Sequence, residues 1–153
     1  MRQTFARRSI LGYCLGGAGA ALLSFTSRSR AATTTFKASI NGSSEVPPNT
    51  TAGTGSATVT LDPDGNKITW NVTFSGLTGP ATAVHIHGPA PAGKNAGVMI
   101  WLSEKGKPAA SPVTGSGTLT AAQVSDLTNG QCYVNVHTAA NPGGEIRGQL
   151  AKS

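Results

Sequence analysis

Short stretches that alternate apolar and polar residues recur along the chain from Thr35 to its C-terminal end. Successive side chains of a β-strand point to opposite faces, so this period of two is typical of strands that bury one face. Glycine, proline, asparagine and serine separate the stretches, and these residues favour turns. The sequence therefore predicts about eight strands, at Thr35–Asn41, Thr54–Asp62, Lys67–Ser75, Ala81–His87, Val98–Leu102, Val113–Thr120, Gln131–Thr138 and Glu145–Leu150.

Two local signals indicate how these strands are connected. Asp64-Gly65 lies between the second and third strands and predicts a hairpin, so these strands should be antiparallel neighbours. Thr120 and Gln123 form a capping-box pattern, which predicts one short helix over Ala121–Leu127 that ends at Asn129-Gly130. Strands of this length and spacing favour an all-β fold, a Greek-key-like antiparallel β-sandwich whose sheets the helix connects.

The first 31 residues have the layout of an export signal. Arg7-Arg8 precedes a glycine-rich apolar stretch, Ser9–Phe25, and resembles a twin-arginine signal, with Sec export as the alternative. Small residues predict cleavage after Ala31, which leaves residues 32–153 as a single domain. The apolar stretch is short for a membrane span, so no stable anchor is expected after cleavage. The sequence thus predicts an exported protein, in the periplasm or outside the cell.

The charge and the cysteine content of the predicted mature chain exclude some classes of function and structure. Five of the twelve Lys and Arg residues lie in the signal, so seven remain against six Asp and Glu, a net charge of +1. No basic cluster is present, and this argues against nucleic-acid binding. Cys132 is the only cysteine left and cannot form an internal disulfide. It alternates with Val134 and Val136, which favours a buried structural thiol over interchain pairing or metal ligation.

The three histidines of the chain carry its most specific chemistry. His85 and His87 are two residues apart in a predicted strand, so both imidazoles point to the same face. His137 alternates in the same way with Tyr133 and Asn135, and neighbouring strands would bring the three rings together. Such a cluster could hold Zn(II) with a water molecule, or Cu(II). The alternative is a structural cluster of neutral imidazoles, held by backbone carbonyls and by Asn135.

Other polar residues have two readings. Glu145 and Arg147 share a face of the last predicted strand, where Glu145 could orient a histidine or anchor a loop. Glu45, before two prolines, is expected to anchor a loop. Trp70 and Trp101 lie in apolar strand patterns and are predicted to be in the core. No nucleophile-elbow or phosphate-loop motif occurs, which favours a protein that is not an enzyme.

Four segments together resemble the CHRD domain, the repeat unit of chordin that also occurs singly in exported bacterial proteins. They are Glu45-Val-Pro-Pro48, Thr78–Pro89, Tyr133–Thr138 and Pro142–Gly148. The resemblance extends from about Phe36 to Leu150. It implies a non-catalytic extracytoplasmic module, binding or structural, whose partner is an unknown protein or a metal ion.

A second resemblance concerns the histidines. Val84-His-Ile-His87 with a later strand histidine is similar to the copper ligands of copper/zinc superoxide dismutases, which are eight-stranded Greek-key sandwiches. It implies a superoxide-dismutase-like or immunoglobulin-like fold, with His85, His87 and His137 as ligands of copper or zinc. Arg147 is comparable with the arginine that attracts superoxide in those enzymes, but its spacing from His137 differs, so its role stays open. The bridging histidine, zinc loop and disulfide of those enzymes have no counterpart in this sequence. The alternative function is thus a copper- or zinc-binding protein with superoxide-dismutase-like redox activity.

Overall fold

The computed structural model describes residues 32–62 and 64–153, so the predicted signal peptide lies outside the described residues. Within that range the chain forms nine strands and one α-helix, with a single 3₁₀ turn at Gly42–Ser44. The elements are β1 Thr34–Asn41, β2 Thr54–Asp62, β3 Lys67–Ser75, β4 Ala81–His87, β5 Val98–Trp101, β6 Val113–Thr118, α1 Ala121–Thr128, β7 Tyr133–Thr138, β8 Ile146–Gln149 and β9 Ala151–Lys152. The all-β prediction with one short helix is confirmed.

The strands pair into one curled antiparallel sheet rather than two separate ones. Their order is β5-β4-β7-β8-β1-β2-β3-β6, and β9 pairs with β1 beyond the end of β8. Asn41 of β1 pairs with Arg147 of β8, and this short contact joins two four-stranded halves. The predicted sandwich of two sheets is therefore not confirmed, because the C-terminal segment passes along β1 and links the halves.

The hydrophobic core lies between the two halves of the curled sheet. Alternate residues of β1, β2 and β3 are buried, and they pack in one cluster with residues of β4, β7 and β8. Burying such side chains contributes about 1.5–3 kcal/mol each. The predicted hairpin is confirmed, since Asp62 pairs with Lys67 and Leu61 with Ile68. The fully buried members include Phe36, Ile40, Val59, Ile68, Val72, Val84, Val134, Val136 and Ile146.

Helix α1 connects the two halves from outside the core. Its capping box is formed as predicted: Thr120 Oγ1 accepts from the Gln123 amide at 3.3 Å, and Gln123 Oε1 accepts from the Thr120 amide at 2.8 Å. Leu127 is buried, and Val124 packs against the core. Gly130 follows the helix with φ of +70°, a conformation that suits glycine at a helix end. Among the described residues, no helix has the length and apolarity needed to cross a membrane.

Strands β4 and β7 differ from the rest of the sheet because both of their faces are covered. Every residue of β7 is buried, and β4 is buried at all positions except Thr82. One face meets the core, whereas loops 88–97 and 139–145 contact the other. In contrast, the outer face of β2 and β3 carries exposed polar residues such as Ser56 and Thr73. The covered outer face of β4 and β7 holds all three histidines.

Candidate metal centre

Strand register brings the three imidazoles together. His85 lies opposite Asn135, and Ala83 lies opposite His137. His137 is therefore two residues along β7 from the position opposite His85, which makes the two histidines diagonal neighbours. The ring centroids are 4.8 Å apart for His85 and His137, 5.4 Å for His85 and His87, and 5.8 Å for His87 and His137. All three side chains are buried, with at most 9% of their surface exposed. One ring nitrogen from each residue lies within 4.8 Å of the others.

Backbone carbonyls determine which nitrogen of two imidazoles carries the proton. His87 Nδ1 lies 3.0 Å from the Ala96 carbonyl oxygen, and His137 Nδ1 lies 3.0 Å from that of Pro142. A carbonyl only accepts, so both Nδ1 atoms donate and both Nε2 atoms carry a lone pair. His85 Nδ1 is 3.1 Å from His137 Nε2 and must therefore be the donor in that contact. This pattern of carbonyl-bonded imidazoles is how metal-binding histidines are commonly oriented.

Two of the imidazole nitrogens lack a partner. The Nε2 atoms of His85 and His87 are buried, and neither has a hydrogen-bond partner among the described residues. Buried polar atoms of this kind are uncommon in native proteins. Two nitrogens bound at 2.0–2.1 Å to one tetrahedral zinc ion lie roughly 3.4 Å apart. His85 Nδ1 and His137 Nε2 are 3.1 Å apart, close to that separation, although His85 Nδ1 carries the proton of their hydrogen bond. One nitrogen from each ring lies within 4.8 Å of the others, so the rings must move closer together to share one ion.

Burial keeps the cluster neutral. Removal from water, together with the neighbouring rings of His137 and His87, lowers the pKa of His85 to about 4. Burial likewise lowers the pKa values of His87 and His137, although their hydrogen bonds to Ala96 and Pro142 oppose the effect.

Two aromatic residues enclose the cluster. The Tyr133 ring stacks on His87 at 5.0 Å and 5° between planes, and its hydroxyl accepts from the Ala96 amide at 3.0 Å. Trp101 contacts His85 edge to face at 4.1 Å and is 37% exposed. The prediction that Trp101 belongs to the core is wrong, because β5 is an edge strand and this residue faces the histidines. Trp70, by contrast, lies in the core as predicted.

Asn135 and Glu45 bond to each other instead of to the histidines. Asn135 Nδ2 donates to Glu45 Oε1 at 2.7 Å, and Asn135 Oδ1 is buried with no partner among the residues described. The alternative in which Asn135 holds an imidazole therefore has no contact to support it. Burial raises the pKa of Glu45, and the Asn135 bond and the Arg147 charge offset only part of that increase.

Glu145 and Arg147 diverge, although the sequence placed them on one face. Glu145 is completely buried, and its carboxylate accepts from the Thr51, Thr78 and Thr138 hydroxyls at 2.6–2.7 Å. Its carboxylate therefore holds these three segments together and bonds to threonines instead of to a histidine. The Arg147 guanidinium lies over the Tyr133 ring, 3.4 Å from its centre. The Tyr133 ring also stacks on His87, so Arg147 does not contact that imidazole directly through this stack.

Backbone carbonyls were predicted as partners of neutral imidazoles, but the residues that supply them, Ala96 and Pro142, were not. Both lie in loops, and any residue supplies a carbonyl, so no residue type could have revealed them. Tyr133, however, was predicted to share the face of His137, and its contact with His87 agrees with that alternation. Cys132 is fully buried in the core, as its alternation with Val134 predicted.

The comparisons with known proteins agree with the motif pattern. The family model of the CHRD domain matches residues 36–150, well over half of the 153 residues. Comparison with curated proteins and with solved structures gave no match. The matched region contains every strand from β2 to β8 and all three histidines. The chain therefore belongs to the CHRD domain family.

Proposed function

We propose that this CHRD domain is an exported, non-catalytic binding module that holds a Cu(II) or Zn(II) ion on His85, His87 and His137. The observation that carries the proposal is the pair of buried, unpartnered Nε2 atoms on His85 and His87. Leaving a buried polar atom without a partner costs about 1–3 kcal/mol. A metal ion bonded to the imidazoles would supply a partner that these rings lack.

The donor set favours these two metals. Three neutral imidazoles suit zinc and copper, and at equal availability Cu(II) binds nitrogen ligands more tightly than Zn(II). Ca²⁺ and Mg²⁺ require oxygen ligands, but the carboxylates of Glu45 and Glu145 are bonded to Asn135 and to threonines. Three protein ligands would leave a fourth position for water or for a side chain of an extracytoplasmic partner.

Metal binding would require one internal hydrogen bond to break. In the metal-free cluster His137 Nε2 accepts from His85 Nδ1 at 3.1 Å. A metal ion that takes the lone pair of His137 displaces this donor, after which the His85 ring can offer either nitrogen. His87 needs no such change, because its Nδ1 remains bonded to Ala96. Metal affinity should therefore depend on all three rings, with His87 the most fully prepared.

The test is metal content. The protein is expressed from the full chain in medium with copper and zinc, purified without a tag in the form the cell produces, and analysed by elemental mass spectrometry. The variant with His85, His87 and His137 changed to alanine is compared with Glu104→Gln, whose exposed side chain lies in a surface ion pair with Lys107. We expect about one metal ion per chain in wild type and in Glu104→Gln, and none in the triple variant.

Two results would contradict the proposal. One is wild-type protein without bound metal and with no affinity tighter than about micromolar in a chelator competition. The other is equal metal content in wild type and triple variant, which would place the ion elsewhere. Circular dichroism of the triple variant distinguishes loss of the site from loss of the fold.

Export is tested separately. If residues 1–31 are a twin-arginine signal, changing Arg7 and Arg8 to lysine should leave the protein in the cytoplasm. Retained export would favour the Sec route, and cytoplasmic wild-type protein would contradict export itself. Redox turnover of the dismutase type has no support beyond the shared histidine pattern, because Arg147 is engaged by Asn95 and Tyr133.

A further inference from the structure

A second concave site lies next to the histidine cluster. Its walls are the segment 43–48 and the loop that contains Ala92 and Gly93, and its floor is formed by Arg147 and Gln149 of β8. A hydrogen bond of 3.1 Å from Asn95 Nδ2 to the Val46 carbonyl joins the two walls. The cavity has a volume of about 430 Å³, within the range of natural small-molecule sites.

The cavity is lined by two buried charges of opposite sign that attract each other without a direct ion pair. Glu45 is 5% exposed and Arg147 is 2% exposed. Among residues 32–62 and 64–153, Lys107 forms an ion pair with Glu104, whereas Glu45 and Arg147 lie farther apart than 4.0 Å. Charged side chains are seldom buried without a partner of opposite sign. Burial raises the pKa of Glu45 and the Arg147 charge lowers it in part, so the two groups attract each other, but they do not form a direct ion pair. A ligand with one charge of each sign could contact both.

Arg147 retains donors for such a ligand. One terminal nitrogen donates to Asn95 Oδ1 at 2.9 Å and the other donates to the Lys94 carbonyl. Both acceptors are neutral, and the guanidinium has five N–H donors in total. The Tyr133 ring, 3.4 Å away, holds the guanidinium in place. Arg147 is thus a fixed cation on the floor of the cavity with unused hydrogen-bond capacity.

Gln149 presents an acceptor beside that cation. Its Nε2 donates to the carbonyls of Ala90 at 3.0 Å and Gly130 at 2.7 Å, and these two bonds fix the orientation of the amide. The amide oxygen Oε1 is then buried without a donor in the described part of the chain. Glu45 offers a second acceptor, because its carboxylate has about four lone-pair sites and bonds to the Asn135 side chain and the Val46 backbone.

We infer that this cavity binds a small zwitterion that carries an ammonium group and a carboxylate, such as a free α-amino acid. The ammonium group donates to the Glu45 carboxylate and to Gln149 Oε1, and the ligand carboxylate accepts from Arg147. Val46, Pro48 and Ala92 supply an apolar lining against which an aliphatic side chain packs. The site is separate from the histidine cluster, and its ligand requires no metal.

The experiment is a calorimetric titration of the protein purified from the full chain. L-Leucine is the probe, with two matched analogues: L-leucinamide, which lacks the carboxylate, and 4-methylpentanoate, which lacks the amine. We expect leucine to bind and both analogues to bind about tenfold or more weakly, since each loses a charge-assisted hydrogen bond. NMR spectra with the other amino acids at about 10 mM reveal a different side-chain preference through shifts of the Gly93 and Gln149 amides.

Glu45→Gln supplies the matched variant. Gln keeps the shape and the oxygen that accepts from Asn135, but it removes the charge that holds the ammonium group. We expect about tenfold or more weaker leucine binding, unchanged 4-methylpentanoate binding and unchanged metal content, whereas Glu104→Gln binds leucine as wild type does. The inference is overturned if no amino acid shifts these amides, or if leucine and both analogues bind equally. If Glu45→Gln does not fold, the ranking of the three ligands decides by itself.

Discussion

The Glu145 carboxylate should contribute a large, pH-dependent part of the stability of this domain. Its Oε1 accepts from the Thr51 hydroxyl at 2.7 Å and the Thr78 amide at 2.8 Å, and its Oε2 accepts from the Thr78 and Thr138 hydroxyls, both at 2.6 Å. Burial by itself raises the pKa of Glu145, but the bonds from Thr138, Thr78 and Thr51 outweigh it and lower the pKa to about 2. One buried carboxylate thus fastens three segments.

The magnitude follows from this pKa. The pKa of Glu145 falls from an ordinary 4.5 in the unfolded chain to about 2 in the folded one. Each unit of pKa difference between the two states corresponds to about 1.4 kcal/mol, so ionised Glu145 stabilises the fold by about 3 kcal/mol at pH 7. The folded pKa lies below the unfolded one, so the contribution is present above pH 4.5 and is lost as the pH falls towards 2. Roughly half of it should remain near pH 3.

The perturbation is Glu145→Gln, which keeps the shape of the side chain and removes its charge. The free energy of unfolding is measured by urea denaturation of both proteins at pH 7 and pH 3. We expect the variant to be about 3 kcal/mol less stable at pH 7 and the difference to shrink by about half at pH 3. Histidine titration cancels in this comparison because both proteins contain the same histidines.

Glu104→Gln is the control, because the Glu104 side chain is exposed in a surface pair with Lys107. Its effect should stay below about 1 kcal/mol at both pH values. The reasoning is refuted if Glu145→Gln costs no more than this control at pH 7. It is equally refuted if the cost is large but does not change with pH, since the four bonds would then act through geometry and not through charge.

Three further results are expected. Gly144→Ala should lower the melting temperature in a thermal scan and cost about 1–3 kcal/mol, because φ is +133° and a Cβ would lie 2.5 Å from Asn135 Oδ1 and 2.6 Å from Glu45 Oε1; an unchanged melting temperature would contradict this. Thr120→Ala should cost about 1 kcal/mol in urea by removing the helix cap, and no loss would mean that packing alone holds α1. The pKa of Cys132 is raised to about 12 by burial, so in protein without residues 1–31, which include Cys14, an absorbance assay should show thiol labelling only as urea unfolds the protein; immediate labelling would refute its burial.

Alternation along the strands was sufficient to predict which residues share a face. Because side chains of a strand alternate, His85 and His87 had to point away from Val84, and the structure places Val84 in the core. Antiparallel pairing of β4 with β7 then brings His137 near His85. The shared face of His85 and His87 depends on local geometry alone, and so a single sequence contained it. The approach of His137 depends on a pairing between distant strands, which the sequence left as a condition.

Features that depend on contacts between distant segments could not be predicted from alternation within one strand. Trp101 ends the apolar run of β5, where no alternation indicates a face, and its exposure follows from the position of β5 at the sheet edge. The single curled sheet depends on the pairing of Asn41 with Arg147, residues far apart in sequence. Glu145 precedes β8, so strand alternation did not determine the direction of its carboxylate.

The buried Nε2 atom of His87 has no hydrogen-bond partner among the described residues, which should lower the stability of the metal-free fold. The substitution His87→Phe tests this expectation. Phe can keep the stacking on Tyr133 while removing the buried Nε2 atom. Losing the bond to the Ala96 carbonyl costs about 0.5–1.5 kcal/mol, and removing an unpaired buried atom gains about 1–3 kcal/mol. In urea denaturation with a chelator, the variant should therefore equal or exceed wild type by up to about 2 kcal/mol. Zinc should then stabilise wild type alone, since a ligand that binds only the folded state adds to its stability. A variant that is less stable than wild type by more than about 1 kcal/mol without metal would instead make His87 a structural residue.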